Sequence, residues 1–175
     1  MRGLKLTAVL AVLLTSCVTA KVITPSAGPI DFKQYKTVRL IVLDSVMTPY
    51  SREGIPLFEG WLKDMLQSQG YSIVEKEEDL RIEVTVTEFR PGRKFLGIWY
   101  LWSYGYGRNL PALTYVASFK DRLGVITELE GGKSYHGYEL TENPDYMTEE
   151  QIRMRLIRHS AIQIAQFIQN NGSLE

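Results

Sequence analysis

One stretch, Leu80–Phe89 (LRIEVTVTEF), limits the possible folds most strongly, because its side chains alternate between apolar and polar. Four apolar residues should face one side and four polar residues the other: Leu80, Ile82, Val84 and Val86 against Arg81, Glu83, Thr85 and Thr87. A period of two is typical of a β-strand with one buried and one solvated face. The strand therefore predicts a sheet that helices cover on one side only.

Two amphipathic stretches supply the covering helices. The first is predicted over Pro56–Gln69, with Pro56 at its first position and Gly70 as its stop. Its apolar face comprises Phe58, Trp61, Leu62, Met65 and Leu66. The second begins after Thr148, which with Gln151 fits a capping box, while Met147 and Ile152 fit a hydrophobic staple. Its stripe comprises Ile152, Leu156, Ile157, Ala161, Ile164, Phe167 and Ile168.

The remaining strands complete an α+β fold. We predict buried or half-buried strands at Val38–Leu43, Tyr71–Val74 and Ala112–Lys120, the last with Leu113, Tyr115, Ala117 and Phe119 inward. A turn at Asp121–Gly124 leads to Val125–Glu130, and Gly131-Gly132 is predicted as a second turn before Lys133–Leu140. The predicted order is β-α-β-β-β-β-α, a mostly antiparallel sheet with two helices packed on one face.

The N-terminus is typical of an export signal. Arg2 and Lys5 precede an apolar stretch, and 15 uncharged residues separate Lys5 from Lys21, fewer than the roughly 20 that a membrane-spanning helix needs. We therefore divide the chain into a signal peptide (1–16), an N-terminal tether (17–31) rich in small and turn-forming residues, and one globular domain (32–171).

The segment Leu14-Thr15-Ser16-Cys17 resembles the bacterial lipobox and contains the one cysteine of the chain. The resemblance implies cleavage before Cys17, a diacylglycerol on its sulfur and acylation of the new amine. Because Val18 rather than Asp follows the cysteine, the same resemblance implies the outer membrane in a bacterium that has two membranes. The alternative is an ordinary signal peptide that happens to contain a cysteine.

The segment Phe95–Tyr106 (FLGIWYLWSYGY), here called the aromatic segment, is the most unusual part of the chain. Cations flank it and no acid occurs between Glu88 and Asp121. Trp and Tyr suit a membrane interface, and cations suit lipid phosphates. A protein-binding patch and a hairpin packed on the sheet are the alternatives. The candidate contact residues are Trp99, Tyr100, Trp102, Tyr104, Tyr106, Arg93, Lys94 and Arg108.

Several local motifs together resemble the uncharacterised bacterial lipoproteins of the domain-of-unknown-function 4410 family. They are the lipobox, Tyr35–Val38, Gly70-Tyr71, Thr85–Gly92, Asp121-x-x-Gly124 and Ile164–Ile168, and the resemblance runs from about Phe32 to Ile168. The aromatic segment is richer in rings than the corresponding stretch of the family. The family implies neither an activity nor catalytic residues. The element order is also similar to that of small envelope-assembly lipoproteins.

Neither catalysis nor metal binding is indicated by any local motif. With Cys17 lipidated no thiol remains, and the two histidines, His136 and His159, lack metal-ligand spacing. The run Glu75–Asp79 is predicted as a solvated loop. Balanced charge, 20 basic and 20 acidic residues, argues against nucleic acid. We therefore predict a non-catalytic envelope lipoprotein without cofactor, anchored by lipid and docking another envelope component. The alternative is a polysaccharide hydrolase with a carboxylate pair.

Overall fold

The computed structural model describes residues 20–26, 28, 30–91, 94–95, 98–99, 111–134 and 148–174, with the backbone alone at 94–95 and 98–99. The predicted signal peptide and Cys17 lie outside the described residues. So do Met147, the stretch 135–140 with His136, and six of the contact candidates: Arg93, Tyr100, Trp102, Tyr104, Tyr106 and Arg108.

The strands of the described residues form two sheets. In chain order they are β1 (Lys21–Thr24), β2 (Thr37–Asp44), β3 (Ser72–Ile73), β4 (Leu80–Arg90), β5 (Lys94–Phe95), β6 (Ile98–Trp99), β7 (Ala112–Asp121) and β8 (Gly124–Ser134). Six of them make a mixed sheet of order β1-β8-β7-β4-β2-β3, and β5 and β6 make a separate two-stranded sheet. In the larger sheet the pairs β2–β3 and β2–β4 are parallel, and the other three pairs are antiparallel. The predicted α+β class is confirmed.

In the described residues two α-helices, α1 (Pro49–Ser68) and α2 (Glu149–Gln169), pack on one face of the sheet, and a short 3-10 helix spans Phe32–Gln34. The two α-helices run parallel to each other. Arg153 of α2 pairs with Glu53 of α1 at 2.5 Å near their first turns, and Gln69 donates to the carbonyl of Ala165 near their last turns. Both helices therefore begin at the same end of the sheet.

The core lies between the helices and the sheet. The predicted inward residues of β4 and β7 are fully buried, as are all seven residues of the α2 stripe. On α1, Phe58, Leu62 and Leu66 are buried, while Trp61 and Met65 pack at the margin. Phe119 contacts Phe32 and Phe167 at ring distances of 5.3 Å each, so strand, 3-10 helix and α2 meet in one aromatic cluster.

A β-bulge at Thr87 re-aims the end of β4. Val86 pairs with Tyr115 and Glu88 with Thr114, so Thr87 is the extra residue. Strict alternation would place Phe89 on the solvated face, but the bulge turns it inward, where it lies edge-on to Tyr50 at 4.8 Å. Gly54 leaves the space that this ring occupies, because a Cβ there would lie 2.1 Å from Phe89 Cε1.

Helix α1 begins seven residues before the predicted start at Pro56. Thr48 is the N-cap, forms a capping box with Ser51, and places Pro49 at the start of the helix. Pro56 lies inside α1 and is exposed, so its ring meets solvent rather than the core. The predicted start was wrong because both Pro49 and Pro56 suit the first position of a helix. The N-cap at Thr48 determines that the helix starts at Pro49. Gly70, with φ of 93°, ends the helix as predicted.

Two further predictions need correction. Residues 21–24, predicted as part of the tether, form β1 and pair with β8, so the sheet begins before the domain boundary at residue 32 that the sequence suggested. Gly131 and Gly132, predicted as a turn, lie within the continuous strand β8 and pair with Tyr115 and Thr114. Glycine in a strand here marks a close approach rather than a reversal of the chain.

Candidate functional site

The described surface offers a sheet face without helices, two sheet ends and several grooves. A row of paired residues crosses five strands: Lys21, Glu130, Val116, Thr85 and Leu43. Beyond this row lie the end of β2 with Met47, the end of β4, the start of β7 and the end of β8. We call this the Met47 end. The opposite end, which carries the β7–β8 turn, is the Leu123 end.

The open face of the sheet carries a charge network. Arg81 binds Glu78, and Lys120 binds Glu83 across the β4–β7 pair. At the β1 edge, Lys21 pairs with Glu130 at 2.9 Å. The wet face predicted for β4 is therefore confirmed, and the charges on it largely satisfy one another. Exposed pairs of this kind contribute about 0–1 kcal/mol each, so the network shapes the surface more than it stabilises the fold.

At the Met47 end, the turn between β2 and α1 is held by one carboxylate. Asp44 Oδ1 accepts from the backbone N–H groups of Val46 and Met47, each at 3.0 Å, and Asp44 Oδ2 accepts from the Ser51 hydroxyl at 2.7 Å. Burial alone would raise the pKa of Asp44, but these hydrogen bonds outweigh it and keep that pKa below its ordinary value. The turn holds Met47 at φ of 56°, with 72% of the residue exposed.

At the Leu123 end, acidic side chains are engaged in shaping turns. The predicted turn at Asp121–Gly124 is present, and Asp121 caps it, since Oδ1 accepts from the N–H groups of Leu123 at 2.7 Å and Gly124 at 3.1 Å. Its Oδ2 accepts from the Tyr35 hydroxyl at 3.3 Å. Burial, reinforced by the Asp121 charge, raises the pKa of Tyr35. The cluster therefore ties the turn to the segment before β2.

Asp79 ties the start of β4 to the start of β2 in a similar way. Its Oδ2 accepts from the Thr37 hydroxyl at 2.9 Å and from the N–H groups of Thr37 and Lys36 at 3.2 and 3.4 Å. These hydrogen bonds, the Thr37 hydroxyl first, hold the pKa of Asp79 below its ordinary value. The hydrogen bonds of Asp79 and Asp121 thus hold the local backbone in place. They give no reason to assign the two residues as a catalytic pair.

A groove of about 810 Å³ runs beside the outer edge of β2, between that strand and α1. Within the described part, β3 covers β2 at Thr37 and Val38, and the groove begins where this pairing ends. Three carboxylates line it, but Glu59 pairs with Lys63 at 2.7 Å, and Asp64 and Glu75 are exposed. A hydrolase needs one carboxyl group whose environment favours protonation, and the groove gives no support to that alternative.

His159 lies in a shallow groove of about 250 Å³ on the outside of α2 and β8. Its other lining residues are Lys133, Arg155, Arg158 and Ile162. Arg158 also stacks over the Trp61 ring at 5.6 Å, which fixes the guanidinium against α1. His159 is half-buried and makes a polar or electrostatic contact.

Of the predicted contact residues, the structure describes the backbone of Lys94 and Trp99. These two residues pair with each other, and Phe95 pairs with Ile98, in the two-stranded sheet β5–β6. In the described residues that sheet is separate from the six-stranded one. The chain leaves the main sheet at Arg90 and returns at Ala112, which pair directly, so the connection that contains the aromatic segment begins and ends at the Met47 end.

Membrane crossing and metal binding find no support in the described residues. No helix there has both the length and the apolar character of a membrane crossing. No cluster of three or more His, Cys, Asp or Glu side chains there is arranged around a possible metal position.

The Met47 end was not predicted from the sequence. Its components are separated by more than a hundred residues along the chain, from Lys21 to Ser134, and cross-strand register alone brings them together. The one local signal is Asp44 followed by Thr48 and Ser51, a pattern that fits an Asx turn leading into an N-cap.

No protein-family model matches this chain, and no curated protein matches it in sequence. Several solved structures resemble its fold. PelC from Paraburkholderia phytofirmans, solved as a dodecamer, is 13% identical with a TM-score of 0.48 over 85% of this chain and 98% of PelC. A minor lipoprotein from Acinetobacter baumannii is 22% identical with a TM-score of 0.42 over 78% of this chain and 92% of that protein.

A DUF4136 family protein from Bacteroides thetaiotaomicron is 13% identical, with a TM-score of 0.45 over 89% of this chain and 97% of that one. The structures similar to this chain thus include a lipoprotein and a member of an uncharacterised family. At these identities and TM-scores the likeness concerns the course of the chain, so no residue role is transferred.

Proposed function

We propose that this chain is a lipid-anchored, non-catalytic binding module of the bacterial cell envelope, on the outer membrane where there are two, and akin to the domain-of-unknown-function 4410 lipoproteins. The observation that carries the proposal is the position of the single cysteine. Cys17 directly follows a short apolar stretch in the segment Leu14-Thr15-Ser16-Cys17. Several acyl chains at one residue give stable membrane attachment, at about 0.8 kcal/mol for each buried methylene.

The short link between Cys17 and the first strand supports this assignment. Strand β1 starts at Lys21, four residues after Cys17, and is hydrogen-bonded into the sheet beside β8. Four residues span at most roughly 14 Å when fully extended. The domain is thus held close to the membrane, not on a long flexible tether. A binding module held in this way meets other envelope components at a high effective concentration.

Metabolic labelling tests the anchor directly. We expect the expressed chain to incorporate radiolabelled palmitate, and mass spectrometry to find an acylated cysteine at a new N-terminus that corresponds to Cys17. A chain that carries no palmitate and retains residues 1–16 would show that the proposal is wrong, because Cys17 would then be an ordinary residue of an uncleaved leader.

The aromatic segment is our proposal for the second contact, through Trp99, Tyr100, Trp102, Tyr104, Tyr106 and the cations Arg93, Lys94 and Arg108. The pairing of Lys94 with Trp99 supports it, because these residues belong to a two-stranded sheet that is separate from the main one. Aromatic side chains with flanking cations suit a contact that is partly apolar and partly wet.

Replacing Trp99 and Trp102 together by alanine separates contact from core packing. We expect the midpoint of thermal unfolding to stay within about 4 °C of the wild type, the shift for roughly 1 kcal/mol in a domain of this size. Photo-crosslinking in cells from position 99 should yield adducts with an envelope component, and crosslinking from Leu123 at the opposite end should not. Unfolding of the double variant would place both rings in the core and remove the support for a contact.

A further inference from the structure

We propose that the Met47 end of the domain rests on the headgroup surface of the bilayer that holds the lipid anchor, with the Met47 side chain inserted among the lipids. This inference rests on the lipidation of Cys17 proposed above, and it specifies which surface of the domain meets the membrane. Two features carry this inference: the chain before Lys21 runs toward Cys17 in the direction of this end of the sheet, and the turn at the same end exposes the apolar side chain of Met47.

The strand register fixes which end is near the anchor. Lys21 and Leu43 belong to the same row of paired residues. Past Lys21 the chain runs toward Cys17, and past Leu43 it runs in the same direction into the Met47 turn. At roughly 3.3 Å per residue, the six residues from Glu130 to Gly124 place the Leu123 end about 20 Å from this row, and the four residues from Glu130 to Ser134 place the Met47 end about 13 Å from it on the other side. A link of four residues therefore favours the Met47 end as the side that faces the bilayer.

The Met47 turn is built to display an apolar side chain. Met47 is a non-glycine residue in the left-handed region, and its N–H is bonded to Asp44, which is itself held by Ser51. Leu43, the last outward-facing residue of β2 and a member of the row, is 49% exposed. A rigid turn that exposes methionine to water has no stabilising role in the core. In a lipid interface the same side chain would be removed from water.

The test uses the lipidated chain, in which the Cys17 sulfur carries diacylglycerol through a thioether and does not react with maleimides. Two single replacements, Met47→Cys and Leu123→Cys, each receive an environment-sensitive fluorophore. The proteins are reconstituted into vesicles of phosphatidylethanolamine and phosphatidylglycerol that contain a headgroup-spin-labelled lipid. Leu123 is the matched control because it is 97% exposed and lies on a turn at the opposite end.

We expect the spin-labelled lipid to quench the label at position 47 strongly and to leave the label at position 123 unchanged. Equal quenching at the two positions, or stronger quenching at 123, would overturn the orientation. A second result would also overturn it: the label at position 47 is not quenched in vesicles, but in native membranes it is shielded from aqueous iodide. A protein partner would then cover this end.

Flotation of the vesicles keeps this test separate from that of the anchor. Protein that floats with the vesicles but shows the wrong quenching pattern contradicts the orientation alone. Protein that carries no acyl group contradicts the proposed function instead. A third variant, Met47→Glu, is expected to lower quenching of a label at the neighbouring exposed position, Leu43→Cys, whereas Leu123→Glu should leave that quenching unchanged.

Discussion

Replacing Cys17 by serine is expected to release the chain from the membrane fraction into the soluble extract. Serine keeps the size and polarity of the position but offers no sulfur for the thioether bond to diacylglycerol. A single acyl chain binds a membrane only marginally, and two or more bind it stably at about 0.8 kcal/mol per buried methylene, so the variant loses the whole of this anchoring energy. Ultracentrifugation of lysed cells followed by immunoblotting of pellet and supernatant measures the effect.

Ser16→Ala serves as the control, because it keeps a small residue directly before Cys17 and should leave both processing and sedimentation unchanged. A wild-type chain found in the supernatant would contradict the anchor. A Cys17→Ser chain that sediments fully with residues 1–16 removed would contradict it as well, since attachment would then depend on the folded domain. The weak contact proposed for the Met47 end is expected to hold only a minor fraction of the variant.

The elements that the sequence predicted well are those whose signal is local. The alternation in Leu80–Phe89 determined which side of β4 is buried, and the seven apolar residues of α2 are all in the core. The Thr148–Gln151 capping box is present as predicted. In each case a period of two or 3.6 residues, or a cap of four consecutive residues, contains the whole of the information.

The errors occur where distant residues decide the structure. Nothing in Lys21–Thr24 alone distinguishes a tether from an edge strand, because its partners Glu128–Glu130 lie more than a hundred residues away. Thr87 gives no sign of a bulge until β7 is placed beside it. The Met47 end is the clearest case. Its composition depends on the register of four strand pairs, so the sequence alone could not predict this surface.

Gly131 and Gly132 show the same limit and lead to the prediction with the largest effect on stability. Both glycines lie where β8 meets β7 and α2. Gln163 of α2 accepts from the Gly132 N–H at 2.9 Å and from the Tyr115 hydroxyl at 3.2 Å. A Cβ on Gly132 would lie 2.1 Å from the carbonyl oxygen of Leu113 and 2.7 Å from the Cα of Thr114. Both atoms belong to the backbone of the sheet and cannot move aside as a flexible side chain would.

Replacing Gly132 by valine is therefore expected to destabilise the domain by about 4 kcal/mol or more, a large part of the total stability of a typical domain. Two costs add: φ of 144° is unfavourable for a β-branched residue, and the new Cβ collides with β7. Urea unfolding followed by circular dichroism, on the soluble Cys17→Ser background, measures the change.

Gly124→Val separates these two costs, because Gly124 has φ of 131° but no atom within 4 Å of the position that a Cβ would take. It should lose only the conformational part, about 1–3 kcal/mol. If both valine variants lost the same amount, the close approach of β8 to β7 would have no energetic weight. Gly132 would then be required only for its backbone conformation.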